Sequence, residues 1–320
     1  FFQTYLITQM NLSSPLVTVL TPVYNGEKYL AETIESILNQ TFNNFEFLII
    51  DDCSTDQSVK IIQSYNDERI KLIINEENIG QSRTMNRGIE IAKGKYIARL
   101  DQDDLSRKDR IQLQLKEISG LNKTILGSWA YAIDKNSQIT GFFQYPLDSE
   151  KIIDALAINS ALAHSSIFMK KEDFVSLGSY SNKYSIAMDW DLWLKAANNN
   201  YNFKNIPQYL IGLRLHDKQI SRNNKGKIIF NKEVLSLISS SKNIIKTKKN
   251  FNAYTGWKYY HEISFVLYNN KPSKSLYKLF YYLINFKPLY ELFKICVYHK
   301  IINSPQKLYN APMHFTKKSL

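Results

Sequence analysis

The sequence predicts an α/β fold, a doubly wound and mostly parallel sheet, followed by a C-terminal α-helical region. Three observations predict it. Short β-branched apolar runs alternate with segments of helical period from "LVTVLTPVYN" to "RKDRIQLQLKEI". Each run ends in turn-forming or acidic residues. Near residues 225–250 an electrically balanced body gives way to a lysine-rich, aromatic tail. Residues 241–320 hold 14 Lys, no Arg and 17 aromatics, against Glu262 and Glu291 as the only acids, and so match the whole net charge of +12.

The elements follow in order. "LVTVLTPVYN" reads as a strand running into a turn, and "EKYLAETIESILNQ" as a helix with Leu30, Ile34 and Leu38 on one face. "FEFLIIDD" is a second short buried strand. In "STDQSVKIIQSY" the spacing of Ser54 and Gln57 predicts a capping box at a helix start. Then come the strand "IKLIIN", the helix "SRTMNRGIEIAKG", the strand "KYIARLD" and the helix "RKDRIQLQLKEI". From about residue 124 the pattern mixes strands "TILGSWAYAID", "ITGFFQY", "SSIFMKK" and "YLIGLRLH" with a helix "DWDLWLKAANN".

In such sheets ligands collect at the carboxyl ends of the strands. That rule places Tyr24 and Asn25, Asp51 and Asp52, Asn78 and Gly80, and Asp101, Asp103 and Asp104 along one rim. The stretch "ARLDQDD" sets three aspartates within four positions, and unpaired carboxylates so close repel one another. Hard divalent cations take oxygen ligands, and Mg²⁺ or Mn²⁺ typically uses one or two carboxylates beside a substrate's phosphates. The plain alternative is that Asp104 caps the next segment while Asp101 and Asp103 are solvated turn residues.

Cys53 and Cys296 are too few and too distant in sequence for a disulfide framework or a zinc site, which points to a reducing, cytoplasmic setting. No run of about 18 uncharged apolar residues occurs, so no membrane span is expected. A single glycine in "TPVYNGEKYL" argues against a nucleotidyltransferase phosphate loop, and the absence of G-x-G-x-x-G argues against a dehydrogenase.

The stretches "VTVLTPVYNGEKYLAETIESILNQTF", "FEFLIIDDCSTDQS", "NIGQSRTMNRGIEIAKGKYIARLDQDD", "AMDWDLWLK" and "LRLHDKQIS" resemble, in order and spacing, the family 2 glycosyltransferases. These are inverting enzymes of the GT-A fold that use nucleotide-diphospho-sugars. The resemblance covers roughly the first 220 residues. It implies a catalytic domain over 1–225, with a nucleotide-binding half at about 15–120 and an acceptor half at about 121–225, and then a helical region over 226–320.

Carried onto this chain, the resemblance implies that Pro22, Tyr24, Asn25 and Glu27 border the nucleotide. Asp52, with Asp51 beside it, would accept a hydrogen bond from the base, which for a carboxylate fits the N–H of uracil and favours a UDP-sugar. Asp103 would be the direct ligand of Mn²⁺ or Mg²⁺, with Asp101 near the ribose or the metal and Gln102 at the donor. Met85 stands where many members carry Arg, and Arg83 offers a cation for the phosphates instead.

An inverting transfer needs a carboxylate opposite the leaving group to take the acceptor's proton. The resemblance assigns that role to Asp189, although Met188 stands where the family usually has an acid. Asp191 is second for the role, or else an N-cap for "LWLKAANN". Trp190 and Trp193 would floor the acceptor sugar or belong to the core. His164, where Ser160 replaces a common Asn, falls on the acceptor side. His216 lies in the loop that closes over the diphosphate in relatives. Either histidine could instead be a satisfied structural residue.

The implied reaction moves a sugar from a nucleotide-diphosphate donor to a hydroxyl of a glycan or lipid-linked glycan, in surface polysaccharide assembly. The lysines and aromatics of the tail fit the headgroup level of an anionic membrane on its cytoplasmic face, or a small bundle with a solvated surface. Nucleic acid is not expected as a partner, because the tail lacks Arg and any recognised module. The alternative functions are a nucleotidyltransferase on a related fold and an inactive sugar- or membrane-binding protein.

Overall fold

The computed structural model describes residues 14–156, 160–216, 219 and 224–240. Its centre is a nine-stranded sheet. The first four long strands are β1 (Val17–Val23), β2 (Phe45–Asp51), β3 (Ile70–Ile74) and β4 (Tyr96–Arg99), and they pair in parallel in the order β3-β2-β1-β4. Between them run α1 (Leu30–Leu38), α2 (Ser58–Gln63) and α3 (Gln81–Ile91). The chain continues through β5 (Leu105–Ser106), α4 (Arg110–Ile118), β6 (Thr124–Ile133), β7 (Ile139–Phe143) and α5 (Ser149–Leu156). It ends with β8 (Phe168–Lys170), α6 (Lys171–Ser176), α7 (Met188–Asn198), β9 (Asn202–Arg214) and α8 (Asn224–Ser240).

Beyond β4 the sheet order is β8-β6-β9-β5, with β7 on β6. Strand β8 is antiparallel to both β4 and β6, so β6, and β9 parallel to it, point the same way as β1 to β4. Six carboxyl ends therefore face one rim. This is why residues following Ile133 and Arg214, far apart in sequence, reach the ligand side.

Strands β1 and β2 are buried along their whole length, as parallel strands covered on both faces must be. Their side chains alternate between two cores. Val17, Val19, Phe45, Phe47 and Ile49 pack on Leu30, Ile34, Ile62 and Ile111, while Leu20, Leu48 and Ile50 pack on Met85, Ile89, Phe174, Trp190 and Trp193. Pro22 is tolerated in a central strand because β4 stops pairing at Leu20, so its missing N–H opens no gap in the ladder.

Several expectations are corrected here. Helix α1 starts at Leu30, three residues inside "EKYLAETIESILNQ". The capping box does not form: α2 begins at Ser58, and the Ser54 hydroxyl instead accepts from the Asn25 N–H at 2.9 Å. "SSIFMKK" is a strand only over Phe168–Lys170, since His164–Ser166 make a 3-10 turn. Helices α5 and α6 were not expected. Helix α8 begins at Asn224, beside the division placed at residue 225, and its Val234 and Leu237 are buried in the second core. The remainder of the expected tail, 241–320, lies outside the described residues. Among the described residues no helix is long and apolar enough to cross a membrane.

Candidate active site

A cavity of about 1570 Å³ opens at the carboxyl rim of β1, β2, β4, β6 and β9. Of the residues expected at a site, it is lined by Pro22, Tyr24, Asn25, Glu27, Asp52, Asp101, Gln102, Asp103, His164, Asp189 and His216. Asp51, Arg83, Trp190 and Asp191 do not line it.

The loop after β1 is stitched to the loop after β2. Thr55 N–H donates to Asn25 Oδ1 at 2.8 Å, Gln57 N–H donates to Glu27 Oε2 at 3.0 Å, and Glu27 N–H donates to Asp56 Oδ2 at 3.0 Å. Asn25 takes a left-handed φ of 50°, which Asn tolerates better than most residues. Gln102 pairs with the Tyr24 backbone, accepting from its N–H at 2.8 Å and donating to its carbonyl at 3.2 Å. A β-carbon on Gly26 would fall 2.7 Å from Gln102 Oε1, so glycine lets that amide close down. These side chains hold the rim's shape.

Asp52 is buried at the cavity floor. Its oxygens accept from Asn75 Nδ2 at 2.6 Å, the Ile79 N–H at 3.0 Å and the Gly80 N–H at 2.9 Å. A carboxylate has about four acceptor positions, so one remains for a ligand N–H. Asp51 has no exposure and caps the turn through the Ser54 N–H at 2.9 Å, which removes it from any base contact.

The aspartates after β4 converge. Oxygens of Asp101, Asp103 and Asp104 lie within 4.8 Å of one another. Asp103 Oδ2 is hydrogen-bonded to His216 Nε2 at 2.8 Å. Asp104, almost fully buried, takes the Arg214 N–H at 2.9 Å and the Ser165 hydroxyl, so it ties β9 to the rim. Burial pushes the Asp101 carboxyl up against the pull of Arg99, with Asp103 adding to the rise. Burial, reinforced by Asp103 and Asp101, pushes Asp104 well above the usual carboxylate range. Clustered carboxylates that resist ionisation are what a cation would relieve, and hard carboxylate oxygens suit Mn²⁺ or Mg²⁺. The residues fit a divalent ion, with Asp103 and Asp101 on the cavity side.

Arg83, expected to offer a cation for the phosphates, is not among the residues that line the cavity. Arg83 is exposed on α3 away from the cavity, while Arg99 lines it with a side chain only 1% exposed. Arg99 Nη1 donates to Asp101 Oδ2 at 2.7 Å and to the Ser165 hydroxyl at 3.0 Å, and Nη2 pairs with Asp101 Oδ1. Reading "ARLDQDD" at a two-residue period would have set Arg99 and Asp101 on one face. Asn86, next to Met85, bridges the Tyr180 backbone, its Nδ2 donating to the carbonyl at 2.8 Å and its Oδ1 accepting from the N–H at 2.9 Å.

Asp189 sits in the first turn of α7 and lines the same cavity. Burial raises its carboxyl to about 6, against the opposing effects of the Trp190 N–H and Arg99. His164 contacts the Tyr180 hydroxyl through Nε2 at 2.8 Å. Burial, with Arg99 nearby, holds that imidazole well below its ordinary range, so it is neutral. Because α7 begins at Met188, Asp191 is a first-turn residue ion-paired with Lys195 at 2.7 Å and not an N-cap. Trp190 donates Nε1–H to the Leu156 carbonyl at 2.8 Å and Trp193 is fully buried, so neither floors the cavity.

Residues 18–175 match the family model described as Glycosyl transferase family 2. The chain is similar to an uncharacterized glycosyltransferase of Methanocaldococcus jannaschii, 36% identical over 225 residues, covering 68% of this chain and 77% of that protein. Among solved structures it is similar to S. aureus TarS 1-349 in complex with UDP-GlcNAc, with a TM-score of 0.56, 18% identity and coverage of 79% of this chain and 81% of that one. It is also similar to the mannosyltransferase PcManGT from Pyrobaculum calidifontis in complex with GDP-Man and Mn²⁺, with a TM-score of 0.59, 15% identity and coverage of 92% and 83%.

Proposed function

The chain belongs to glycosyl transferase family 2, and on that premise we propose that it moves a sugar from a UDP-sugar to a hydroxyl of a glycan or lipid-linked glycan, with inversion. Its sheet has the GT-A arrangement. The observation that carries the proposal is one cavity with two kinds of carboxylate: a clustered pair, Asp101 and Asp103, and a separate Asp189 whose carboxyl is raised to about 6. A base poised near the working pH is suited to proton transfer.

In the proposed reaction the acceptor oxygen forms a bond to the anomeric carbon as the bond from that carbon to the diphosphate oxygen breaks. The acceptor's proton passes to an oxygen of Asp189. The remaining acceptor position on Asp52 takes the base N–H, and Arg99 keeps Asp101 oriented beside the diphosphate. A divalent cation held by Asp103 and Asp101, when bound, supplies charge neutralisation for the leaving diphosphate. His164, neutral and fixed by Tyr180, is available as a hydrogen-bond partner on the acceptor side.

Purified protein with Mn²⁺ or Mg²⁺ and a panel of UDP-, GDP- and dTDP-sugars should release nucleotide diphosphate; a panel that stays intact counts against the proposal. The pH dependence has a definite sign. Asp189 must be ionised to accept a proton, so kcat should fall below pH about 6 by about tenfold per unit and level off above it. A rate that rises toward acid pH would remove Asp189 from the role.

The composition of 241–320 supports attachment to an anionic, cytoplasmic-face membrane surface, in surface polysaccharide assembly. Full-length protein should float with vesicles containing phosphatidylglycerol and not with phosphatidylcholine alone. Equal behaviour with both would leave the tail without that role.

A further inference from the structure

We propose that Glu233, on the helix that opens the C-terminal region, is a positioning residue whose carboxylate holds the turn presenting Asp189 to the cavity. This rests on Asp189 being the base and adds what keeps it in place. One carboxylate gathers four donors from three consecutive residues. Glu233 Oε1 accepts from the Ser185 N–H at 2.7 Å and the Ser185 hydroxyl at 2.8 Å. Oε2 accepts from the Ile186 N–H at 3.0 Å and the Ala187 N–H at 2.9 Å.

The need for such an anchor follows from the sequence of the turn. Ala187 is the N-cap of α7 and has no side-chain oxygen to satisfy the helix's first donors. Glu233, 46 residues away, instead takes the N–H of this N-cap residue and of the two residues before it, at the positive end of the helix dipole. Asp189 follows two residues later in the first turn, and Ser185 and Ile186 are themselves cavity wall. The turn is held on its other side as well: Trp190 is fixed to the Leu156 carbonyl, and Ser82 Oγ donates to the Tyr184 carbonyl at 3.0 Å.

Glu233 is in turn placed by α8. Val234 and Leu237 are buried in the second core, and the Ser236 hydroxyl lies 3.3 Å from that of Tyr184 and accepts from Lys183 Nζ at 3.3 Å. Docking of α8 and the orientation of the base are thereby one arrangement. Active-site groups tolerate displacements of only about 0.5 Å, so a loosened turn should cost turnover while leaving the nucleotide's residues untouched.

The test compares Glu233→Ala and Glu233→Gln in the full chain. Glutamine keeps the shape but turns one acceptor into a donor facing N–H groups. Three readouts are needed: kcat and donor KM with the UDP-sugar that the panel identifies, UDP affinity in Mn²⁺, and amide hydrogen exchange. The expected result is a kcat lowered on the order of 10²-fold, donor KM and UDP affinity unchanged, and faster exchange confined to residues 185–189. Should the alanine variant fail to fold, the glutamine variant decides. Unchanged kcat with unchanged exchange overturns the proposal, and so does UDP affinity falling in step with kcat, which would mean a general loss of structure. An Asp189→Asn enzyme that keeps full turnover removes the base assignment and this proposal together. An inactive Asp189→Asn beside normal Glu233 variants removes this proposal alone.

Discussion

Asp189→Asn is expected to lower sugar transfer by about 10²–10⁴-fold while leaving UDP affinity unchanged. Asparagine keeps the size and the hydrogen bond from the Trp190 N–H but cannot take a proton, so the acceptor hydroxyl must attack unaided. The effect should appear in kcat. Initial rates of nucleotide diphosphate release, with calorimetric titration of UDP, separate the two quantities. Retained turnover would place the base elsewhere, and Asp191, paired with Lys195 outside the cavity, is badly placed to take over.

Asp103→Asn should act on the other half of the reaction. Its carboxylate faces the cavity, whereas Asp104 is spent on Arg214 and Ser165 and Asp101 is clasped by Arg99. Changing residues that merely support a metal's ligands typically costs 10–100-fold in metal affinity, so losing a ligand should cost at least about that much. UDP titrated with and without Mn²⁺ makes the test specific. The wild type and Asp189→Asn should bind UDP more tightly with Mn²⁺, and Asp103→Asn should lose most of that gain. An Asp103→Asn protein with a full Mn²⁺ effect would shift the ion to other ligands.

The alternation of buried strands and helices was legible because parallel strands covered on both faces must be continuous apolar runs, as in "FEFLIID". The rim followed from that, and eleven expected residues do share one cavity. What was not legible depends on pairings across long stretches of chain. Asp51 and Asp52 look equivalent in sequence, yet Asp51 has no exposure and lies off the cavity, while Asp52 lines it with an acceptor position open. The tryptophans of "DWDLWLK" could be assigned to core only once α7 was seen to start at Met188, turning both inward. Arg83 stood out as the cation because Met85 stands where many members carry Arg, whereas Arg99, two residues before Asp101, is the arginine that lines the cavity. Glu233 gave no local signal, because its four partners lie 46 to 48 residues earlier.

The most direct measurement is a crystal structure with UDP and Mn²⁺. The expected result is the ion against Asp103, with the diphosphate beside it, uracil at Asp52, and the Asp189 carboxylate across the open sugar position. UDP bound away from this rim, or an ion seated without Asp103, would contradict the central claim.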